Sequence, residues 1–103
     1  MNKMSISQVC DALGNDTRYQ IIKALKDKSI ATCCDKIEFY ESGISVGDMV
    51  KATGLAQSTI SQHLKVLVNA GLVYSEKRGS WTCFFLNKQT IEDLVKGLYQ
   101  DLI

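Results

Sequence analysis

Residues 45–71 constrain the fold most, because they hold two helical patterns separated by only three residues. Ser45 and Asp48 have the spacing of a capping box, which predicts a short helix that Gly54 ends. The second pattern repeats apolar side chains at i, i+4, i+7 and i+8 and stops before Gly71. Its apolar residues are Ile60, Leu64, Leu67 and Val68. Two helices joined by a short turn that contains glycine are a helix-turn-helix.

The opposite face of the second helix is rich in short polar side chains. Gln, Ser and Thr can bond to base edges, and Ser, Thr and Lys can bond to phosphates. A face that is merely solvated usually carries Glu and Lys, whereas no acidic residue lies between Lys51 and Tyr74. We therefore predict double-stranded DNA as the partner. The candidate contacts are Lys51, Gln57, Ser58, Thr59, Ser61, Gln62, His63, Lys65, Lys77 and Arg78.

The length and patterning predict one domain, residues 1–103, that is mainly α-helical with a small β-hairpin. Two β-rich runs, Leu72–Ser75 and Trp81–Leu86, flank a charged tip at Glu76–Ser80. Beside a helix-turn-helix, a basic hairpin is typical of a wing that contacts the DNA backbone or minor groove. The expected architecture is therefore a winged helix-turn-helix.

Three further boundaries are predicted from local signals. Asp16 stands where a second helix would be capped, and that helix carries Tyr19 among its apolar residues. Thr90 and Asp93 repeat the capping-box spacing before the last helix. Residues 26–43 show no strong period, and we expect a helix end followed by a loop there.

Charge, apolar runs and cysteine count indicate the compartment and limit the partners. Twelve basic and eleven acidic residues give a net charge of +1, so global charge argues neither for nor against nucleic acid. No apolar run has the length of a membrane span or a signal-peptide core, so we expect a cytoplasmic protein with no membrane partner. In that compartment, the four cysteines are expected to be free thiols, metal ligands or a redox switch.

Four segments resemble the ArsR/SmtB family of small dimeric winged-helix repressors. They are Leu13–Ile22, Gly54–Leu67, Ala70–Val73 and the Gly79–Trp81 part of the wing. The resemblance implies a repressor that leaves its operator DNA on binding a metal, a metalloid or an oxidant. It covers nearly the whole chain and is weak only across residues 26–43.

The resemblance also implies a homodimer formed through the first and last helices. Apolar stripes on those helices agree with this, although such stripes can equally form a core within one chain. The candidate interface residues are Ile6, Val9, Leu13, Ile91, Leu94, Val95, Leu98 and Leu102.

Two inducer sites known in the family have no counterpart in this chain. Arsenic and cadmium sensors often carry Cys-Val-Cys at the start of the third helix, where this chain has no cysteine between Ile44 and Asp48. Zinc sensors use Asp and His pairs on the last helix, but the only histidine here is His63.

The remaining candidates are the four cysteines. Cys33 and Cys34 are adjacent, and their Cα separation of about 3.8 Å is shorter than a usual disulfide span. They could bind one soft ion together or pair with Cys10 or Cys83. We predict a metal site of Cys33, Cys34 and Cys10 for thiol-bound arsenite, antimonite, cadmium or a similar soft ion, with Cys83 as the less favoured third sulfur. Cys10 and Cys83 could instead be small buried hydrophobes.

Other functions remain open at this point. A redox-sensing repressor would use a reversible disulfide, and a winged-helix module with inert cysteines would bind DNA without regulation. A thiol enzyme is disfavoured, because the only available base lies on the proposed recognition helix and no orienting carboxylate is evident. We therefore expect a regulator and not an enzyme.

Overall fold

The computed structural model describes residues 4–27, 44–79 and 81–103, which form helices and a two-stranded antiparallel sheet. The elements are α1 (Ile6–Leu13), α2 (Asp16–Asp27), α3 (Val46–Thr53), α4 (Gln57–Asn69), β1 (Val73–Arg78), β2 (Trp81–Leu86) and α5 (Lys88–Leu102). This order, helices with a hairpin between α4 and α5, confirms the predicted fold class. Of the stretch 26–43, residues 26 and 27 close α2, and the rest lies outside the described residues.

The first two helices begin at side-chain caps. In α1 the Ser5 amide donates to Gln8 Oε1 at 2.8 Å, and the Gln8 amide donates to Ser5 Oγ at 3.2 Å. The cap of α2 is Asn15 and not the predicted Asp16, because Asn15 Oδ1 accepts from the Arg18 amide at 3.1 Å. Asn and Asp cap helices about equally well, so the sequence alone does not decide between neighbours.

The last helix starts earlier than predicted. α5 begins at Lys88, and its N-cap residue, Asn87, makes no side-chain capping bond. Thr90 is not a cap, since its hydroxyl donates to the carbonyl of Gly71 at 2.7 Å. Because only Asn87 separates β2 from α5, the end of the strand fixes the start of the helix.

The hairpin is longer and its turn tighter than predicted. The Glu76–Arg78 segment belongs to β1, where Glu76 faces Cys83 and Arg78 faces Trp81 across the ladder. Gly79 has a φ of 64°, and this left-handed conformation permits a two-residue turn. On the other edge of β2, Ile44 and Phe84 exchange two backbone hydrogen bonds of 3.2 and 2.9 Å. These bonds hold the start of α3 beside the hairpin.

The main hydrophobic core draws on every helix and on β1. Its buried residues are Val9, Ala12, Ile21, Ile22, Leu25, Ile44, Met49, Ile60, Leu64, Leu67, Ala70, Leu72, Val73 and Leu94. Tyr19 was predicted on the apolar side of α2 but is 52% exposed. At about 100° per residue it lies on the side of the helix opposite Ile21.

Candidate nucleic-acid interface

The helix-turn-helix is held by buried capping at the start of α3. The Ser45 amide donates to Asp48 Oδ2 at 3.0 Å, and the Asp48 amide donates to Ser45 Oγ at 3.1 Å. Both side chains are buried, so this capping box is fixed by the surrounding core. The prediction of a capping box at these two residues is confirmed.

The turn between the helices is equally constrained. Gly54 has a φ of 73°, and its amide donates to the Val50 carbonyl at 2.9 Å. The Thr53 hydroxyl donates to the Met49 carbonyl at 2.7 Å and accepts from the Leu55 amide at 3.1 Å. These bonds end α3 and set the direction in which α4 leaves.

The two faces of α4 differ sharply in burial. Ile60, Leu64 and Leu67 are buried, whereas Val68, predicted in the same stripe, is 38% exposed. Val68 lies about 80° around the helix from Ile60, at the margin of the stripe. Of the predicted contact residues, Gln57, Ser58, Ser61, Gln62 and Lys65 are exposed, and Thr59 and His63 are half-buried. The outward face is therefore polar, with one cation and no carboxylate.

The N-terminus of α4 lacks a side-chain cap. Its N-cap residue is Ala56, which has no capping hydrogen bond. The first amides of a helix have no intrahelical acceptor and carry a partial positive charge. This feature was not predicted from the sequence, although an alanine at the N-cap is itself the signal.

The basic residues around α4 fall into two groups. Lys51 in the last turn of α3, Lys65 on α4 and Lys77 on β1 are all exposed. Arg78 is different, because its side chain is only 10% exposed. The three lysines can reach a partner in solution without rearrangement of the described structure.

Arg78 is engaged within the hairpin. Its guanidinium Nη2 lies 2.8 Å from Glu76 Oε2, and its Nε donates to the same oxygen at 3.3 Å. The guanidinium carbon is 4.6 Å from the centre of the Phe85 ring, which stacks on Tyr74 with centroids 5.3 Å apart. Because an ion pair and a cation–π contact both hold it, Arg78 stabilises the hairpin face.

The proposed interface residues on α1 and α5 divide by burial. Val9 and Leu94 are buried in the core of this chain, as the intramolecular alternative predicts. Val95 and Leu102 are 61% and 76% exposed. The others, Ile6, Leu13, Ile91 and Leu98, are partly buried against the core.

One exposed member of the α5 stripe was not predicted from the sequence. Tyr99 is 64% exposed and stands four residues after Val95. Spacing of i, i+4 on a helix was a sufficient signal for it. Together with Val95 and Leu102, Tyr99 forms an apolar strip on the solvent side of α5, hereafter the α5 strip.

The two described cysteines occupy different places. Cys10 is free and half-buried, and it packs against the main core. Cys83 is fully buried beside Phe85 in a separate small cluster and is disulfide-bonded. Cys83 is therefore buried, as predicted, but it is not a free thiol. Cys33 and Cys34 lie outside the described residues.

Metal-ligating clusters and membrane-spanning helices are both absent from the described residues. Within residues 4–27, 44–79 and 81–103, no three His, Cys, Asp or Glu side chains cluster closely enough to hold a metal ion. None of the helices in the described part of the chain is long and apolar enough to span a membrane.

Comparison with known proteins gives a consistent result. Residues 41–75 match the family model described as "Bacterial regulatory protein, arsR family". The chain is 35% identical over 91 residues to the "Putative arsenical resistance operon repressor ArsR2" of Halobacterium salinarum, covering 88% of this chain and 66% of that protein. It is 31% identical over 97 residues to the uncharacterized HTH-type transcriptional regulator YbzH of Bacillus subtilis, covering 92% and 96%.

A solved structure supports the same fold. The homodimeric winged helix-turn-helix DNA-binding domain Mb0332 of Mycobacterium bovis superposes with a TM-score of 0.67 at 21% identity, covering 93% of this chain and 77% of that one. The fold, a helix-turn-helix with a hairpin wing, and the sequence similarity to regulators over almost the whole chain indicate the same family. This chain belongs to the ArsR family of winged helix-turn-helix transcriptional regulators, which bind DNA and are not enzymes.

Proposed function

We propose that this protein is a cytoplasmic, homodimeric repressor, built as one domain, that binds operator DNA through α4 and releases it when its thiols react with an inducer. The observation that carries the DNA-binding part is the outward face of α4. Five exposed polar side chains there include no carboxylate. Three of them, Ser58, Ser61 and Gln62, are short or flexible enough to meet base edges.

The proposed contacts divide into reading and anchoring. Ser58, Ser61 and Gln62 face bases in the major groove, with Gln57, Thr59 and His63 at the edges of the same surface. The exposed Lys51, Lys65 and Lys77 neutralise phosphates, and the uncapped N-terminus of α4 offers amides to another. Arg78 positions the hairpin through Glu76 and Phe85 and does not contact DNA directly.

The α5 strip supports the homodimer. An exposed row of Val95, Tyr99 and Leu102 on one helix costs free energy in water unless another apolar surface covers it. A second copy of the chain presents the same strip under two-fold symmetry. Two copies of α4 then read a pseudo-palindromic site whose halves lie about 34–36 Å apart.

Selection of tight binders from a pool of random duplexes tests the DNA-binding proposal and identifies the operator sequence in the same experiment. The recovered site should be pseudo-palindromic, and affinity for it should fall steeply as salt is raised. Gln62→Ala should cost about 1–3 kcal/mol at one base position. Gln20→Ala, an exposed glutamine on α2, is the matched control and should leave affinity unchanged. Failure to recover any enriched site refutes the proposal.

For the inducer we keep a soft metalloid of the arsenite type as the first choice. Cys33 and Cys34 are the proposed ligands, with Cys10 as the third sulfur, because thiolates select soft ions. The arsenical-resistance name of the Halobacterium relative supports this choice. Antimonite and cadmium belong to the same chemical class, whereas magnesium and manganese do not.

One observation favours a redox switch as the alternative. Cys83 is disulfide-bonded, while Cys10 is free. In this alternative, Cys83 and a thiol of the Cys33–Cys34 pair form a disulfide. Hydrogen peroxide takes two electrons and two protons from the two thiols and becomes two molecules of water. The wing then changes its position relative to α4.

A single titration separates the alternatives. Reduced protein bound to the selected duplex is treated with arsenite, peroxide or magnesium while fluorescence anisotropy follows release. The metalloid centre predicts that arsenite releases wild type but not the Cys33→Ser, Cys34→Ser double variant. The redox switch predicts that peroxide releases wild type but not Cys83→Ser. If arsenite still releases the Cys33→Ser, Cys34→Ser variant and peroxide still releases Cys83→Ser, both mechanisms are contradicted. If neither arsenite nor peroxide releases wild type, the protein is an unregulated DNA-binding module.

A further inference from the structure

A side-chain hydrogen bond joins the first turn of α5 to the end of α4. The hydroxyl of Thr90 donates to the carbonyl of Gly71 at 2.7 Å, across nineteen positions of sequence, in a partly buried setting. Beside it, the amide of Asn87 donates to the carbonyl of Leu72 at 2.9 Å. These two bonds, hereafter the α4–α5 clamp, connect consecutive carbonyls after α4 to the start of α5.

The clamp meets α4 where its backbone is fixed. The Gly71 amide donates to the Val68 carbonyl, and the Leu72 amide donates to the Leu67 carbonyl, each at 3.0 Å. This pair of bonds is a Schellman motif, and Gly71 has the positive φ of 77° that it requires. The motif holds Gly71 rigidly against the last turn of α4. A hydrogen bond to the Gly71 carbonyl therefore restrains the orientation of α4 as a whole.

The clamp also crosses the base of the hairpin. The chain leaves α4 at Gly71, runs through β1 and β2, and returns to α5 at Lys88. Along the chain, α4 and α5 are connected through a two-stranded hairpin, which twists readily. The Thr90 hydroxyl closes this detour with one short bond from α5 to Gly71, two residues after the end of α4.

We propose that Thr90 is a positioning residue that fixes the angle between α4 and α5 and thereby sets the spacing of the two DNA half-sites. This inference rests on the proposed function, in which α4 reads DNA and α5 carries the dimer contact. In a symmetric dimer, the separation of the two α4 helices depends on how each is attached to its own α5. Thr90 itself touches neither DNA nor the partner subunit in this proposal.

Spacing is a sensitive readout of that angle. One added base pair moves a half-site by about 3.4 Å and rotates it by about 34° around the duplex. A rigid dimer must therefore distort itself or the DNA to bind a site that is one base pair too long or too short. A dimer in which α4 can swing binds the altered site with a smaller penalty.

Three substitutions at one position make the test. Thr90→Val has nearly the same shape but no hydroxyl, Thr90→Ala removes the hydroxyl and the methyl group, and Thr90→Ser keeps the hydroxyl. Each protein is titrated with the selected duplex and with duplexes lengthened or shortened by one base pair between the half-sites. Sedimentation and thermal unfolding of each variant report the dimer and the fold separately.

Wild type and Thr90→Ser should discriminate between the spacings to the same extent. Thr90→Val and Thr90→Ala should lose about 2- to 12-fold of that discrimination, the range that corresponds to one ordinary hydrogen bond. A variant that only destabilises the fold would lower affinity for all three duplexes equally and leave the ratio unchanged. An unchanged ratio in Thr90→Val and Thr90→Ala overturns the inference and leaves the proposed function intact. A wild-type protein that binds no duplex overturns both.

Discussion

Replacing Val95 and Leu102 by serine tests whether the α5 strip is the dimer contact. Both side chains are mostly exposed in the single chain, so their truncation removes little from its own core. Leu94, on the same helix, is buried in that core. The double variant is therefore expected to dissociate without unfolding, whereas Leu94→Ala is expected to lose stability.

The size of the effect follows from the exposed fractions. Full burial of a Val or Leu side chain contributes about 1.5–3 kcal/mol. Val95 and Leu102 have 61% and 76% of their surface left to bury, which gives about 1–2 kcal/mol for each. Two-fold symmetry places each side chain in the interface twice, so the double variant should weaken dimerisation by about 4–8 kcal/mol. That corresponds to a dissociation constant raised by about three to six powers of ten.

Sedimentation equilibrium over a wide range of protein concentration measures this constant directly. Gln100→Ser, on an exposed side of α5 away from the strip, is the matched control and should dissociate like wild type. Circular dichroism should show the same helix content in wild type, the double variant and Gln100→Ser. A double variant that remains dimeric at micromolar concentration would place the interface elsewhere, and a monomeric wild type would refute the homodimer.

Further outcomes are expected from substitutions at five single positions. Lys77→Ala should weaken binding to all duplexes alike and reduce the salt slope of the logarithm of the binding constant by about 1. Ile60→Ala, at a fully buried site, should cost about 2–5 kcal/mol in thermal or urea unfolding, whereas Val68→Ala should stay within about 1 kcal/mol. Gly54→Ala forces a φ of 73° on alanine and should cost about 1–2 kcal/mol, whereas Gly47→Ala within α3 meets only an ordinary contact and should gain about 0.5–1 kcal/mol.

The parts of the fold that the sequence predicted are those with local causes. The Ser45–Asp48 capping box and the glycine stops at Gly54 and Gly71 depend on residues within one turn of each other. Capping residues of this kind fix a helix end in any tertiary context in which the helix forms. The helix-turn-helix and the polar face of α4 followed from them directly.

The two errors, at Thr90 and at Val68, have different causes. Thr90 has the spacing of a helix cap, but its hydroxyl bonds to Gly71 because β2 delivers the chain to α5 next to the end of α4. Val68 is as apolar as a core residue, yet its position at the margin of the stripe leaves it partly exposed. The Thr90 outcome cannot be derived from spacing alone, since it depends on what another element places nearby, whereas the marginal position of Val68 follows from helix geometry.

The cysteines show the limit of residue type as evidence. A sequence states that four thiols exist, but reactivity depends on burial and on the distance to a second sulfur. The structure separates Cys10, which is free and packs on the main core, from Cys83, which is buried and disulfide-bonded. This separation makes the redox alternative concrete enough to test at Cys83.

Arg78 and Lys77 show how neighbouring cations on one strand acquire different roles. Side chains alternate between the faces of a strand, so Arg78 shares a face with Glu76 and with Phe85, which pairs with Tyr74 across the ladder. Its planar guanidinium can meet a carboxylate and stack on a ring together, which an ammonium group cannot do as well. To reach a phosphate, Arg78 would have to leave the Glu76 carboxylate and the Phe85 ring. Lys77 loses no such contact and remains exposed. Of the two cations, Lys77 is therefore the one that we propose as the phosphate contact of the wing, whereas Arg78 is held within the hairpin by Glu76 and Phe85.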